Sequence, residues 1–169
     1  MSEPLRLLVA LSGAEDPALV AELAGLVGPV RPGGPPLEIQ LLHVVDSGPR
    51  GLLPIGPGPH RGPWPKPPEA STQTHMTAAE DEAGAALLAS WRERFAAGLP
   101  GAAITTEVRH GQPEHEVIAA ATACGASAVV LCARPRTGPT EPGPRSVGHV
   151  ARFVVDHAPV PVVLVRRSA

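Results

Sequence analysis

The chain has 169 residues, a net charge of −2 and a pI of about 6.4; one domain with one sizeable core is the simplest organisation at this length, and the charge balance announces no basic field for nucleic acid. No apolar run is long enough to span a bilayer, the amino-terminal MSEPLRLLVALSG lacks a basic region ahead of a signal-type apolar core, and the only cysteines, Cys124 and Cys132, form no CxxC pair. A reducing cytoplasm, with no membrane and no disulfide framework, is the expected setting.

In chain order, Leu7 to Leu11 is a short apolar run bounded by turn formers, a buried strand. Asp16 and Pro17 then supply an N-cap and a first helical position, and Leu19, Val20, Leu23, Leu26 and Val27 recur at helical spacing until Gly28-Pro29. Ile39 to Val45 is a second buried strand. Asp46 to Thr74 carries eight prolines, five glycines, Trp64 and a Leu52-Leu53 pair. That composition predicts an irregular insertion at about 46–75, either a lid over a ligand crevice or a polyproline-like excursion. Thr77 to Gly98 is a helix opened by a Thr77/Glu80 capping-box spacing, with Leu88, Trp91 and Phe95 on one face. Ile104 to Val108 is a third, less apolar strand, Pro113 to Cys124 a helix, and Ala128 to Cys132 a fourth strand. Ser146 to Ala158 is a helix and Val162 to Val165 the last strand.

Strands that alternate with helices and are mostly continuously apolar predict an α/β fold: a doubly wound five-stranded parallel sheet with helices on both faces, spread over residues 1–169 as a single domain. Such sheets take ligands outside the carboxyl ends of their strands, where the winding reverses. Attention therefore falls on Ser12–Glu15, on 44–75, on His110–Pro113 and on 133–145.

Four segments, taken in order, resemble the universal stress protein family: Leu8-Val9-Ala10-Leu11-Ser12-Gly13-Ala14, Leu41-Leu42-His43-Val44-Val45-Asp46, Gly111-Gln112-Pro113, and the run VVDHAPVPVVLV ending at Val165. The resemblance covers nearly the whole chain outside the insertion. It implies a Rossmann-like sheet of the adenine nucleotide alpha hydrolase-like kind, and dimers paired through the last strand, here 161–165. Some members bind ATP through G-x2-G-x9-G-[S/T] after the fourth strand; others lack that motif and bind none. Laid back from the last strand, the motif puts its glycine positions at Pro135, Gly138 and Gly148, with His149 where the hydroxyl belongs. Laid forward from the fourth strand, it puts them at Cys132, Pro135 and Arg145, with Ser146 at the hydroxyl. Neither register restores it.

A phosphate cradle needs successive inward backbone N–H groups and glycines that reach positive φ. Pro135, Pro139, Pro142 and Pro144 remove donors and stiffen the loop. A helix N-terminus with Arg134, Arg136 and Arg145 nearby suits an anion; the plainer account is that Ser146 caps its helix and the arginines are solvated. After the first strand the resemblance implies an aspartate facing a nucleoside, and this chain has Ser12, or Gly13 if the register slips by one. The Val44 backbone remains available to an adenine edge. The candidate binding residues are Ser12, Gly13, Val44, Gly111, Cys132, Arg134, Gly138, Arg145, Ser146, Gly148 and His149.

No nucleophile elbow and no metal-ligand motif is present, so neither catalysis nor a metal is expected. A reactive Cys132 competes with a plain core role for that thiol. The expectation is a cytoplasmic homodimeric stress-response regulator that contacts a protein partner, with weak or no ATP binding and no required cofactor. An ATP- or adenine-nucleotide-binding member, with the arginine-rich loop replacing the glycine cradle, is the alternative. A nucleotide hydrolase is a third reading, without any visible base or metal ligand.

Overall fold

The computed structural model describes residues 3–29, 34–46, 70–133 and 147–166. Five strands and four helices alternate: β1 (Leu5–Leu11), α1 (Ala18–Val27), β2 (Leu37–Asp46), α2 (Ala70–Gly98), β3 (Ala103–Gly111), α3 (Pro113–Ala123), β4 (Ala128–Cys132), α4 (His149–His157) and β5 (Val162–Val165). All strand pairs are parallel, in the order β3-β2-β1-β4-β5. The chain winds outward from β1 to β2 and β3, recrosses through α3 to β4, and winds the other way to β5. The reversal lies between β1 and β4.

The strands are apolar on both faces because helices cover both. On one face Leu7, Val9, Leu11, Leu37, Ile39, Leu41 and Val130 meet Leu19, Val20 and Leu23 of α1 and Leu88, Trp91 and Phe95 of α2. On the other, Leu8, Leu42, Val129 and Leu131 meet Val117, Ala120 and Ala121 of α3 and Ala151 and Val154 of α4. Alternation along β1, with Leu7 and Val9 on one side and Leu8 on the other, follows from the two-residue period of a strand. Phe95 is fully enclosed, and Trp91 packs beside it at 6.1 Å between ring centroids. Gly98 closes α2 where α1 comes nearest; a Cβ there would stand 2.3 Å from Val20 Cγ1.

Several boundaries differ from the sequence reading. The helix expected at Thr77 begins at Ala70. Thr77 and Glu80 are therefore interior residues and not a capping box, and 70–75 belong to α2 rather than to the insertion. Helix propagation adds one hydrogen bond per residue once a turn exists, and nothing between Ala70 and Thr77 forbids it; the last prolines are Pro67 and Pro68. Trp64 and Leu52-Leu53 lie outside the described residues. The helix expected from Ser146 begins at His149, behind Gly148 as N-cap. Gly148 has φ 94°, which no helical residue adopts, so the helix cannot run back through it. The third strand extends from Ala103 to Gly111, so His110 and Gly111 are strand residues, each paired with β2. β1 begins two residues earlier than expected, at Leu5, and β2 runs from Leu37 to Asp46, while β4 and β5 keep their expected bounds; α1 begins one residue later than expected, at Ala18. Asp16 still caps α1: its Oδ1 accepts the Ala18 N–H at 2.9 Å.

Candidate functional site

Five strands ending on one edge bring the ends of β1, β2, β3 and β4 and the starts of α3 and α4 to the same side of the sheet. Ser12 and Gly13 follow β1, Val44 stands near the end of β2, Gly111 ends β3 and Cys132 ends β4. Gly148 and His149 open α4 on that side. Arg134, Gly138, Arg145 and Ser146 lie outside the described residues.

β2 outruns β1. Their last paired residues are Leu11 and His43, so Val44, Val45 and Asp46 continue beyond the end of β1, paired on the other side with Arg109, His110 and Gly111 of β3. Val44 thus presents its backbone level beside the β1–α1 turn. That turn is held by one carboxylate. Glu15 Oε1 accepts the Ser12 N–H at 2.5 Å and the Ser12 Oγ–H at 2.7 Å, and Oε2 accepts the Gly13 N–H at 2.8 Å. Gly13 has φ 91°, which brings its N–H round to that carboxylate and would strain any other residue.

His43 donates its Nδ1–H to the Leu11 carbonyl at 2.9 Å, tying the ends of β1 and β2 together. At the β3–α3 junction, Gly111 has φ 145°, and the Glu116 side chain crosses it: a Cβ would meet Glu116 Oε1 at 2.9 Å. Arg109 holds Glu107 at 2.7 Å and Glu116 at 3.5 Å. Gln112 and Pro113 then start α3. His110 Nε2 lies 2.6 Å from Asp81 Oδ1 of α2, an oxygen closed to solvent and without a hydrogen-bond partner, so the contact is a close charge pairing when the imidazole is protonated. His149 is 78% exposed, and its Nε2 stands 3.4 Å from Glu114 Oε1 in the first turn of α3.

Gly148 adopts positive φ immediately before His149, and the His149 imidazole faces a carboxylate.

Cys132 is half-buried beside a small cavity of about 80 Å³ lined by Glu15, Asp16, Glu22, Ala133, Val165 and Arg166, among others. Small-molecule sites start near roughly 300 Å³, so this is a packing gap rather than a ligand site. Burial pushes the Cys132 thiol up to about 12, and the negative charges of Glu15, Glu22 and Asp16 act the same way. Burial thus favours the protonated thiol at neutral pH, and with it the core role over the reactive one. A wider groove of about 390 Å³ runs between α2 and β3, past Arg92, Thr106 and Val108, midway along the sheet and away from the carboxyl edge. Among the described residues, no three His, Cys, Asp or Glu side chains gather as metal ligands, and no helix is long and apolar enough to cross a membrane.

Two residues of the edge were given no role in the sequence reading. Glu15 carried a signal, since Ser12 and Glu15 have the S-x-x-E spacing at which the glutamate reaches back to a backbone N–H. Glu114 carried none; its approach to His149 depends on how α3 and α4 pack.

An open parallel sheet whose winding reverses between β1 and β4 is the architecture of a nucleotide-binding α/β protein. The universal stress protein family model matches residues 6–166, and the chain belongs to that family. Solved structures agree in fold. The universal stress protein UspA of Lactobacillus plantarum superimposes with a TM-score of 0.64 at 20% identity, covering 98% of this chain and 100% of that one. A universal stress protein family protein of Arabidopsis thaliana, solved with AMP bound, gives 0.60 at 19% identity over 98% and 94%. The Archaeoglobus fulgidus universal stress protein, in complex with dAMP, gives 0.51 at 18% identity over 96% and 97%. No curated protein matches the chain in sequence at a significant level.

Proposed function

We propose that this chain is a cytoplasmic regulatory protein without turnover, which takes an adenine nucleoside or monophosphate at the β1–β4 reversal and grips further phosphates poorly. The observation that carries this reading is the overhang of Val44 beyond Leu11, beside the Ser12–Gly13 turn. Backbone there can meet an adenine edge whatever the side chains are. The AMP and dAMP in the relatives' structures support the ligand class. The weak phosphate grip rests on the prolines between Cys132 and His149 and on His149 in the hydroxyl position. Titration calorimetry tests it: adenosine, AMP and Mg-ATP should bind within a fewfold of one another, all far weaker than the roughly 1 μM that corresponds to about 8 kcal/mol. A low-micromolar dissociation constant for Mg-ATP refutes the reading. So does phosphate release from ATP that disappears when the protein is denatured.

The same reading includes a homodimer. β5 is an edge strand whose four residues are all only half-buried, and an apolar edge left open invites pairing. A two-fold axis that pairs β5 with its own copy closes both edges at once.

A further inference from the structure

We infer that Glu114 sets how much phosphate charge this site accepts, by holding a carboxylate against the first residue of α4. The inference rests on the adenine-nucleotide reading and names a specificity determinant within that same site. The winding reverses between β1 and β4, so the helices that open beside the ligand are α1 and α4. The start of α1 already holds a carboxylate, since Asp16 Oδ1 accepts the Ala18 N–H. α4 opens at His149 behind a glycine N-cap, which brings no side-chain oxygen to its amino end. The positive end of a helix favours an anion, so phosphates joined to a nucleoside at the reversal extend toward α4.

Glu114 stands at that place without belonging to α4. It lies in the first turn of α3, 35 residues away in sequence, with Oε1 at 3.4 Å from His149 Nε2. Its side chain is only 16% exposed. The packing of α3 beside α4, through Val117, Ala120, Ala151 and Val154, fixes where it sits. His149 is its only ion-pair partner among the described residues, and an imidazole cancels a carboxylate only while protonated. Arg109 is committed to Glu107 and Glu116. A phosphate approaching α4 therefore meets a like charge in a partly enclosed setting, where screening is weaker than at the surface. Each further phosphate adds to that repulsion, and an uncharged ribose escapes it. The α3 dipole also favours a glutamate in this turn, where Glu116 lies too. That stabilising role alone would leave the ranking of ligands untouched.

The experiment titrates adenosine, AMP and ADP, in magnesium-free buffer, into the wild-type protein, Glu114→Gln and Glu114→Ala, with a thermal melt of each. Glutamine keeps the shape and removes the charge. Glu114→Gln should bind ADP about tenfold tighter than wild type, equivalent to about 1.4 kcal/mol. AMP should gain by an intermediate factor, and adenosine should stay within about twofold, since it brings no charge to α4. The ADP gain should shrink in about 1 M salt, where the repulsion is screened. Glu114→Ala should give the same order of gains and serves as the test if the glutamine variant melts below assay temperature. Equal changes for the three ligands, or no gain for ADP in either variant while adenosine binds, overturn the role of Glu114 and leave the nucleotide reading intact. Absence of adenosine, AMP and ADP binding in all three proteins overturns the nucleotide reading and this inference with it.

Discussion

His43 and Leu11 are register partners at the last rung between β2 and β1, and the imidazole closes that rung itself, Nδ1 donating to the Leu11 carbonyl at 2.9 Å. A carbonyl only accepts, so Nδ1 carries the proton and the tautomer is set. The ring lies against α2 at Gly84, where a Cβ would come within 2.9 Å of His43 Cδ2 and 3.5 Å of Val108 Cγ2. A glycine in mid-helix is unfavourable by about 1 kcal/mol relative to alanine, so its presence reflects the room the imidazole needs.

Gly84→Ala therefore sets two effects against each other. Helix propensity favours alanine by about 1 kcal/mol, and overpacking against a ring opposes it by about 1–3 kcal/mol. The expected result is a net loss of about 1 kcal/mol in urea unfolding. The sign should reverse when the ring is absent: on a His43→Ala background, Gly84→Ala should stabilise. If the glycine substitution has the same effect on both backgrounds, the ring is not what excludes a side chain there.

Phe95 is the most enclosed large side chain on the α2 face. Phe95→Ala should lower stability by about 3–5 kcal/mol, through lost burial and the cavity left behind. Arg94, which lies over the Trp91 ring at 5.3 Å but is exposed, should cost less than about 1 kcal/mol on conversion to alanine. Comparable losses at the two positions would place the α2 core face wrongly.

The Cys132 thiol, pushed up to about 12 by burial and then by Glu15, Glu22 and Asp16, predicts an alkaline dependence. A thiol whose folded value is raised keeps its proton longer in the native state. Its contribution to stability is complete below the unfolded value and disappears as pH climbs toward the folded one. Stability should thus fall between about pH 9 and 12 in the wild type, less steeply in Cys132→Ala, as read by denaturant midpoints across that range. In the native protein at pH 8, iodoacetamide should leave Cys132 unmodified. Rapid alkylation of Cys132 under native conditions contradicts the burial argument.

Edge pairing through β5 can be separated from the fold itself. The carbonyls of Pro161 and Val165 accept from Val129 of β4 and from Ala133 just past its end. Neighbouring strand residues point their N–H and C=O groups to opposite sides, so Val163 also faces β4, whereas Val162 and Leu164 face the open edge. Val162→Pro should remove an outward donor and yield folded monomer. Val163→Pro should instead break the β4 ladder and lower stability. Light scattering at tens of micromolar reads the outcome, since an affinity of about 1 μM gives mostly dimer there. A monomeric wild type, or a Val162→Pro variant that remains dimeric, rules out pairing through this edge.

Much of the site was legible before any tertiary information, because strand ends are local features. Ser12, Val44 and Cys132 were placed at the carboxyl edge from where apolar runs stop, and that is where β1, β2 and β4 put them. Gly111 was reached through the family's G-x-P signature and not from a strand end, and it proves to be the last residue of β3 itself. The start of α2 was misplaced since a capping-box spacing at Thr77 reads the same whether or not the helix continues behind it. The start of α4 was misplaced for a related reason: Ser146 looks like a cap, and only the positive φ of Gly148 shows that the helix begins after it.

What the amino-acid sequence determined alone was the class of fold and the family, through alternating apolar periods of two and 3.6 residues and four short segments in order. Periodicity is a property of consecutive residues, so no tertiary contact is needed to read it. What only the tertiary structure decided was which side chains complete one another. His43 closes a rung against a glycine on another helix, and His149 meets Glu114 across two helices. These pairings depend on the angle and depth at which packed elements meet. That geometry is set by the whole core at once and leaves no trace in any single stretch of sequence.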